Sequence, residues 1–177
     1  MNVTGVSGTA PTGFAQTFGN FTWDCAGQTA NIYTQASMTV LGDMRILDTG
    51  SPFDPSSRAL RISNTATGYA INVFGDFFVD TNASFKLNNS TGSCTLGISG
   101  NLTINGVFMI VTGAAPSTTS VTGDVIISGT LNMNEDGSSQ VAILHIGGDL
   151  SNVTGTLTES GGGSGSIIFN GSGPQNY

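Results

Sequence analysis

The side chains that could do chemistry are few, and five of them sit close together. Arg45, Asp48, Asp54, Arg58 and Arg61 bring both charge signs into one stretch of an otherwise almost uncharged chain. A carbohydrate-cleaving or carbohydrate-binding site would need such carboxylates and basic groups converging on one face. The same stretch includes Thr49-Gly50-Ser51-Pro52-Phe53-Asp54-Pro55, which reads as a loop excursion, and loops are ordinarily polar and exposed without being sites. These five are the ligand-binding candidates. No catalytic residue is expected.

A second set recurs at long spacing. Asp43, Asp76, Asp124 and Asp149 each follow a glycine, with Asn20 and Asn101 at the equivalent place elsewhere. Stacked aspartates would repel, and a hard cation such as Ca²⁺ could relieve that with oxygen ligands. Asn101 interrupts the row, and Asp and Asn also favour a bend by bonding local backbone. Local bonding is the expected role, so neither a metal nor a cofactor is expected, and the four aspartates are the residues that would line a metal site.

His145 has no second histidine to converge with and reads as a solvated surface side chain. Cys25 and Cys94 fall at different places in the repeat, six after and six before their glycines. Two separate buried thiols are therefore expected, although an oxidising compartment would allow a bridge. Thr103, Thr130, Thr156 and Thr158 do not share one position in the repeat, so no regular threonine face is expected.

The elements that hold these residues follow from a repeat. Gly19, Gly42, Gly75, Gly100, Gly123 and Gly148 each precede Asp or Asn, and Gly171-Ser172 reads as a degenerate seventh copy. Five of the six intervals are 23 or 25 residues, and the remaining one, Gly42 to Gly75, is 33. Two residues before the glycine stand Thr17, Val40, Val73, Ile98, Val121, Ile146 and Phe169. Two after it stand Phe21, Met44, Phe77, Leu102, Val125, Leu150 and Gly173. The columns four before (Ala15, Met38, Ile71) and six before (Gly13, Ala36, Cys94) share that parity. Alternation of this kind marks a strand with one buried face. The glycine reads as a bend or a close backbone approach.

Further strands follow in each lap, as in Ser84-Phe85-Lys86-Leu87, and a polar loop such as 134–139 returns the chain. Equivalent residues returning with one parity about every 23 residues predict an all-β, right-handed parallel β-helix of six to seven turns. The chain reads as a single domain over 1–177, with 1–16 as a cap or linker and 48–59 as a loop insertion. The C-terminal end is expected to continue into further repeats. Open solenoid ends present unpaired edges, so neighbouring repeats or other copies of the chain are the expected partners there.

Composition narrows the function. Charged residues make up 8% of the 177, and 11 acidic residues against 4 basic give a net charge of −7. That balance argues against nucleic acid and against an anionic membrane surface. No apolar run approaches membrane-spanning length. A polar, weakly acidic coat suits the outside of a cell, where surface glycans are a candidate ligand class.

Met38–Ile46, Ile98–Gly106 and Ser166–Gly173 resemble the β-strand repeats of very large secreted surface proteins of Bacteroidota. The resemblance covers residues 15–177. It implies a long extracellular β-solenoid stalk, exported and attached by a secretion system that reads a C-terminal sorting domain, which these residues do not include. It implies no catalytic residues.

Overall fold

The computed structural model describes residues 1–135 and 139–177. Of the polar return loop 134–139, residues 136–138 lie outside the described residues. β1 (Asn2–Thr4) precedes the repeating turns. The first turn carries β2 (Thr17–Phe18), β3 (Phe21–Asp24) and β4 (Ile32–Tyr33). The second carries β5 (Met38–Val40), β6 (Met44–Asp48) and β7 (Leu60–Ser63); the third β8 (Ala70–Val73), β9 (Phe77–Asn82) and β10 (Ser84–Asn88). Then come β11 (Thr95–Ile98), β12 (Leu102–Ile104) and β13 (Val107–Val111), followed by β14 (Ser117–Val121), β15 (Val125–Ile127) and β16 (Thr130–Asn134). The last full turn holds β17 (Val141–Ile146), β18 (Leu150–Asn152) and β19 (Thr156–Thr158), and β20 (Ser164–Phe169) begins another lap.

Each strand pairs in parallel with its counterparts one turn away, giving three sheets. Their orders are β1-β3-β6-β9-β12-β15-β18, β2-β5-β8-β11-β14-β17-β20 and β19-β16-β13-β10-β7-β4. We call these the first, second and third sheets. There is no helix among the described residues. The chain is a parallel β-solenoid of about six turns.

Like lies on like because the register repeats. Val73 pairs with Ile98, Ile98 with Val121 and Val121 with Ile146. On the third sheet Leu60, Phe85, Phe108 and Leu131 form an equivalent buried column. Phe85 sits 5.0 Å from Phe77 and 5.6 Å from Phe108, ring centre to ring centre. Each such aliphatic or aromatic side chain contributes roughly 1.5–3 kcal/mol by leaving water. A single lap could bury little of this, so stability belongs to the stack.

Two expected positions shift. In the first turn Phe18, not Thr17, pairs with Val40, and Phe14 rather than Gly13 is buried. Only two residues separate Phe18 from Phe21, against three between Val40 and Met44, so the tighter corner moves the inward parity by one. In the last turn Gly171-Ser172 does not occupy the Gly-Asp position; Gln175-Asn176 does, as shown below. Of the four threonines, Thr130 and Thr156 are paired neighbours, Thr158 pairs with Asn132 and Thr103 lies on the first sheet.

The insertion leaves the first sheet after β6 and folds over the outer face of the third. Ser56 accepts a hydrogen bond from Arg61 Nη2 at 3.2 Å, and Pro52 accepts one from Arg58 Nη1 at 2.9 Å. At the N-terminal end, β1 adds Val3 to the first sheet's core and Phe14 packs against Phe21 and Trp23.

Candidate functional site: a side-chain ladder and the faces beside it

The Gly-Asp/Asn repeat forms the corner between the second and first sheets. Asn20 Oδ1 accepts the Asp43 N–H at 2.9 Å, Asp43 Oδ1 that of Asp76 at 3.1 Å, and Asp76 Oδ1 that of Asn101 at 2.8 Å. Asn101, Asp124 and Asp149 pass the same bond on to Asp124, Asp149 and Asn176, each at 2.8 Å. The bond thus reaches the next turn's backbone, where a local bend had been expected. A local Asx bond would shape one corner; this one ties each turn to its successor.

The glycines explain themselves in the same geometry. Gly75, Gly100, Gly123 and Gly148 donate their N–H groups to the glycine carbonyl one turn below, at 2.9–3.1 Å. A Cβ on Gly100 would fall against Asp76 Oδ1 and 2.6 Å from the Gly75 carbonyl oxygen. Close approach, the second of the two sequence-based roles, is therefore why glycine stands here.

Asn176 completes the ladder. Its N–H bonds Asp149 Oδ1, and its carbonyl accepts from Leu150 N at 3.0 Å, as Asp149's accepts from Val125 at 2.9 Å. Gln175 stands where a glycine would, and its side-chain amide, instead of a backbone N–H, reaches the Gly148 carbonyl. The spacing gave no hint of this, because the corner is reached through a detour over 170–174.

Ladder bonding spends one oxygen of each carboxylate. Asp43 Oδ2 pairs with Arg45 Nη2 at 3.4 Å on an exposed surface, a contact worth at most about 1 kcal/mol. No group of three or more His, Cys, Asp or Glu among the described residues could hold a metal ion. Asp149 is held below the ordinary aspartate range by Asn176, first through its backbone N–H and then through its side chain. A depressed carboxyl contributes stability that is present above its unfolded value and is lost as pH falls through the folded one.

A ladder that needs an acceptor but not a charge makes a prediction. Asp76→Asn should melt like the parent at pH 7, since Asn101 already fills one rung. Asp76→Ala should cost about 1 kcal/mol for the lost bond. Asp149→Asn should lose less stability than the parent on acidification below about pH 4. Thermal melts from pH 7 to pH 2.5 check all three.

The five clustered candidates do not share a groove. Arg45 lies on the outer face of the first sheet, 4.5 Å over the Phe78 ring. Asp48 Oδ1 accepts the Gly50 N–H at 2.7 Å. Asp54 accepts from the backbone and hydroxyl groups of Ser56 and Ser57, which hold its carboxyl well below the usual range. Arg58 serves the loop that contains it. Arg61 is not in a solvated loop: it lies in β7 on the third sheet, 5% exposed, bonding Asn89 and the loop above it.

Beside Arg61, in register one turn on, stands Lys86, which is 1% exposed. Its ammonium bonds Glu135 Oε2 at 2.9 Å. Burial pushes its pKa down, and the Glu135 bond opposes that shift. This buried cation has no sequence signal beyond its place in an alternating strand.

Cys25 and Cys94 are both free and buried, and burial raises both thiols. Trp23 is core, with its indole N–H on Gln28 Oε1 at 3.0 Å. His145 is half-buried on the outer face of the second sheet.

Comparison with protein-family models, with curated proteins and with solved structures returned no match to this chain. The class is set by the fold: a parallel β-solenoid repeat protein.

Proposed function

We propose that this chain is a non-catalytic, extracellular structural or adhesive module, a rigid stalk or surface-filament segment of a cell-surface protein. The observation that carries the reading is the use made of the polar side chains. Six consecutive Asp or Asn oxygens bind one turn to the next, and the clustered charged residues are spent on their own loop and strands. Such a ladder stiffens an axis, and among the described residues the five clustered candidates do not converge on one groove. The low charge and the likeness to stalk repeats of secreted Bacteroidota surface proteins support the same reading.

The partners that fit this reading are neighbouring repeats or other copies of the chain, since the sheets of a parallel solenoid pair through their open edges.

Antibodies against the folded chain should label intact cells of the source organism. Labelling that appears only after permeabilisation overturns the surface assignment. Release of reducing or unsaturated ends from a polysaccharide panel would overturn the non-catalytic one.

A further inference from the structure

The outer face of the second sheet differs from the rest of the surface. No strand of that sheet contains Asp, Glu, Lys or Arg, although the chain has fifteen such residues, and His145 is its sole ionisable side chain. Three hollows of about 300, 260 and 400 Å³ lie along this face. Asn72 lines both the first and the second, and Ser120 and Thr122 line both the second and the third. They form one trough parallel to the solenoid axis. Seven strands at one rung each give it a length of about 29 Å.

Gly97 makes the middle of the trough. It occupies the row Thr39, Asn72, Gly97, Ser120, His145. A Cβ there would meet only Asn72 Oδ1, at 3.3 Å, and its φ is not in the left-handed region. The corner glycines are demanded by packing, but this one is not, and glycine weakens a strand. What its missing side chain provides is depth. Beside it Phe74 is 58% exposed, one turn above Leu41 at 60%. Phe74 thus offers an open aromatic face bordered by amide and hydroxyl groups, an apolar surface with a few placed polar groups of the kind that ligand sites use.

We propose that this trough binds an extended, uncharged polysaccharide strand. Phe74 stacks on the apolar face of a sugar ring. Asn72, Ser99, Ser120 and Thr122 supply donors and acceptors for its hydroxyls. A strand running along the axis meets a fresh set of groups at every turn. The absence of charge in the trough disfavours a charged polymer, and the aspartates of the ladder, on the adjoining corner, repel an anionic one. Among the described residues no carboxylate lines the trough, so the strand is held and not cut. The inference rests on the adhesive reading above and names its ligand class.

The test titrates the intact chain with a mixed-linkage β-glucan and a galactomannan, with polygalacturonate as the anionic control. Affinity electrophoresis reads binding, and thermal melts run alongside. At least one neutral polymer should bind and polygalacturonate should not. Phe74→Ala should weaken binding about tenfold, as loss of an aromatic anchor does. Gly97→Leu, which fills the hollow, should weaken it by a similar factor. Both should melt with the parent, and Arg45→Ala on the first sheet should bind like the parent. No neutral binding, binding indifferent to both trough variants, or equal binding of polygalacturonate overturns the proposal. Thermal hysteresis of freezing without glycan binding overturns it too, and reassigns the face to ice. Failure here with intact-cell labelling preserved leaves the stalk reading standing; intracellular labelling sinks that reading whatever the glycans do.

Discussion

Gly100→Ala should lower stability by about 3 kcal/mol, the upper part of the range for overpacking plus a lost, half-buried hydrogen bond. In a chain of this size that is a fall of about 10 °C in melting temperature. The added methyl would press on Asp76 Oδ1 and stand 2.6 Å from the Gly75 carbonyl oxygen. Both atoms are already accepting hydrogen bonds from the turn above, Asp76 Oδ1 from Asn101 N and the Gly75 oxygen from Gly100 N. Neither can move without breaking its bond. Gly19→Ala is the matched control, because no atom lies within 4 Å of a Cβ there. It should change stability by less than about 0.5 kcal/mol, since its backbone is one that alanine adopts. Asp76→Ala should relieve part of the Gly100→Ala cost, so the double variant should lose less than the two singles together. Melts of the four variants decide it, and equal effects of Gly100→Ala and Gly19→Ala would remove the ladder from the account of stability.

Glu135→Ala should cost about 3 kcal/mol, because it strands a buried ammonium without its carboxylate. Lys86 is 1% exposed, and its Nζ has the Glu135 oxygen at 2.9 Å as its ion-pair partner. Lys86→Met removes the charge and keeps the stem that packs beside Met109, its register partner. Such a replacement should be neutral or slightly stabilising, since a buried pair barely offsets its own desolvation. Removing the carboxylate should therefore cost stability, and removing the ammonium should not. Burial lowers the Lys86 pKa, and loss of Glu135 lowers it further. A lysine depressed in the folded state gains stability as pH rises from its folded value toward its unfolded one, so the Glu135→Ala deficit should shrink between pH 7 and pH 10. Denaturant unfolding at the two pH values measures this. A deficit unchanged with pH would mean that the ammonium has found water.

The core was legible from parity and spacing. Val73, Ile98, Val121 and Ile146 are recognisable as one column because a strand's side chains alternate strictly and the lap length hardly varies. The insertion was legible as the one long interval. What resisted reading was anything set by a single corner. Phe18 displaced Thr17 because one corner is a residue shorter, and Gln175-Asn176 displaced Gly171-Ser172 because one detour is longer. Either shift exchanges inside for outside, and no composition signal marks it.

The sequence by itself determined that this chain is a stack of laps, and which faces of its strands point inward. Periodicity and alternation are one-dimensional properties, and burial of apolar surface translates them directly into columns. The partner of each polar group was decided only by the tertiary structure. An Asp that could bend its own corner instead holds the next turn, Arg61 passes from an apparent surface loop to a covered strand, and a glycine in mid-strand opens a trough. Hydrogen bonds and hollows depend on which atoms meet across turns some two dozen residues apart, and that meeting exists only once the solenoid is wound.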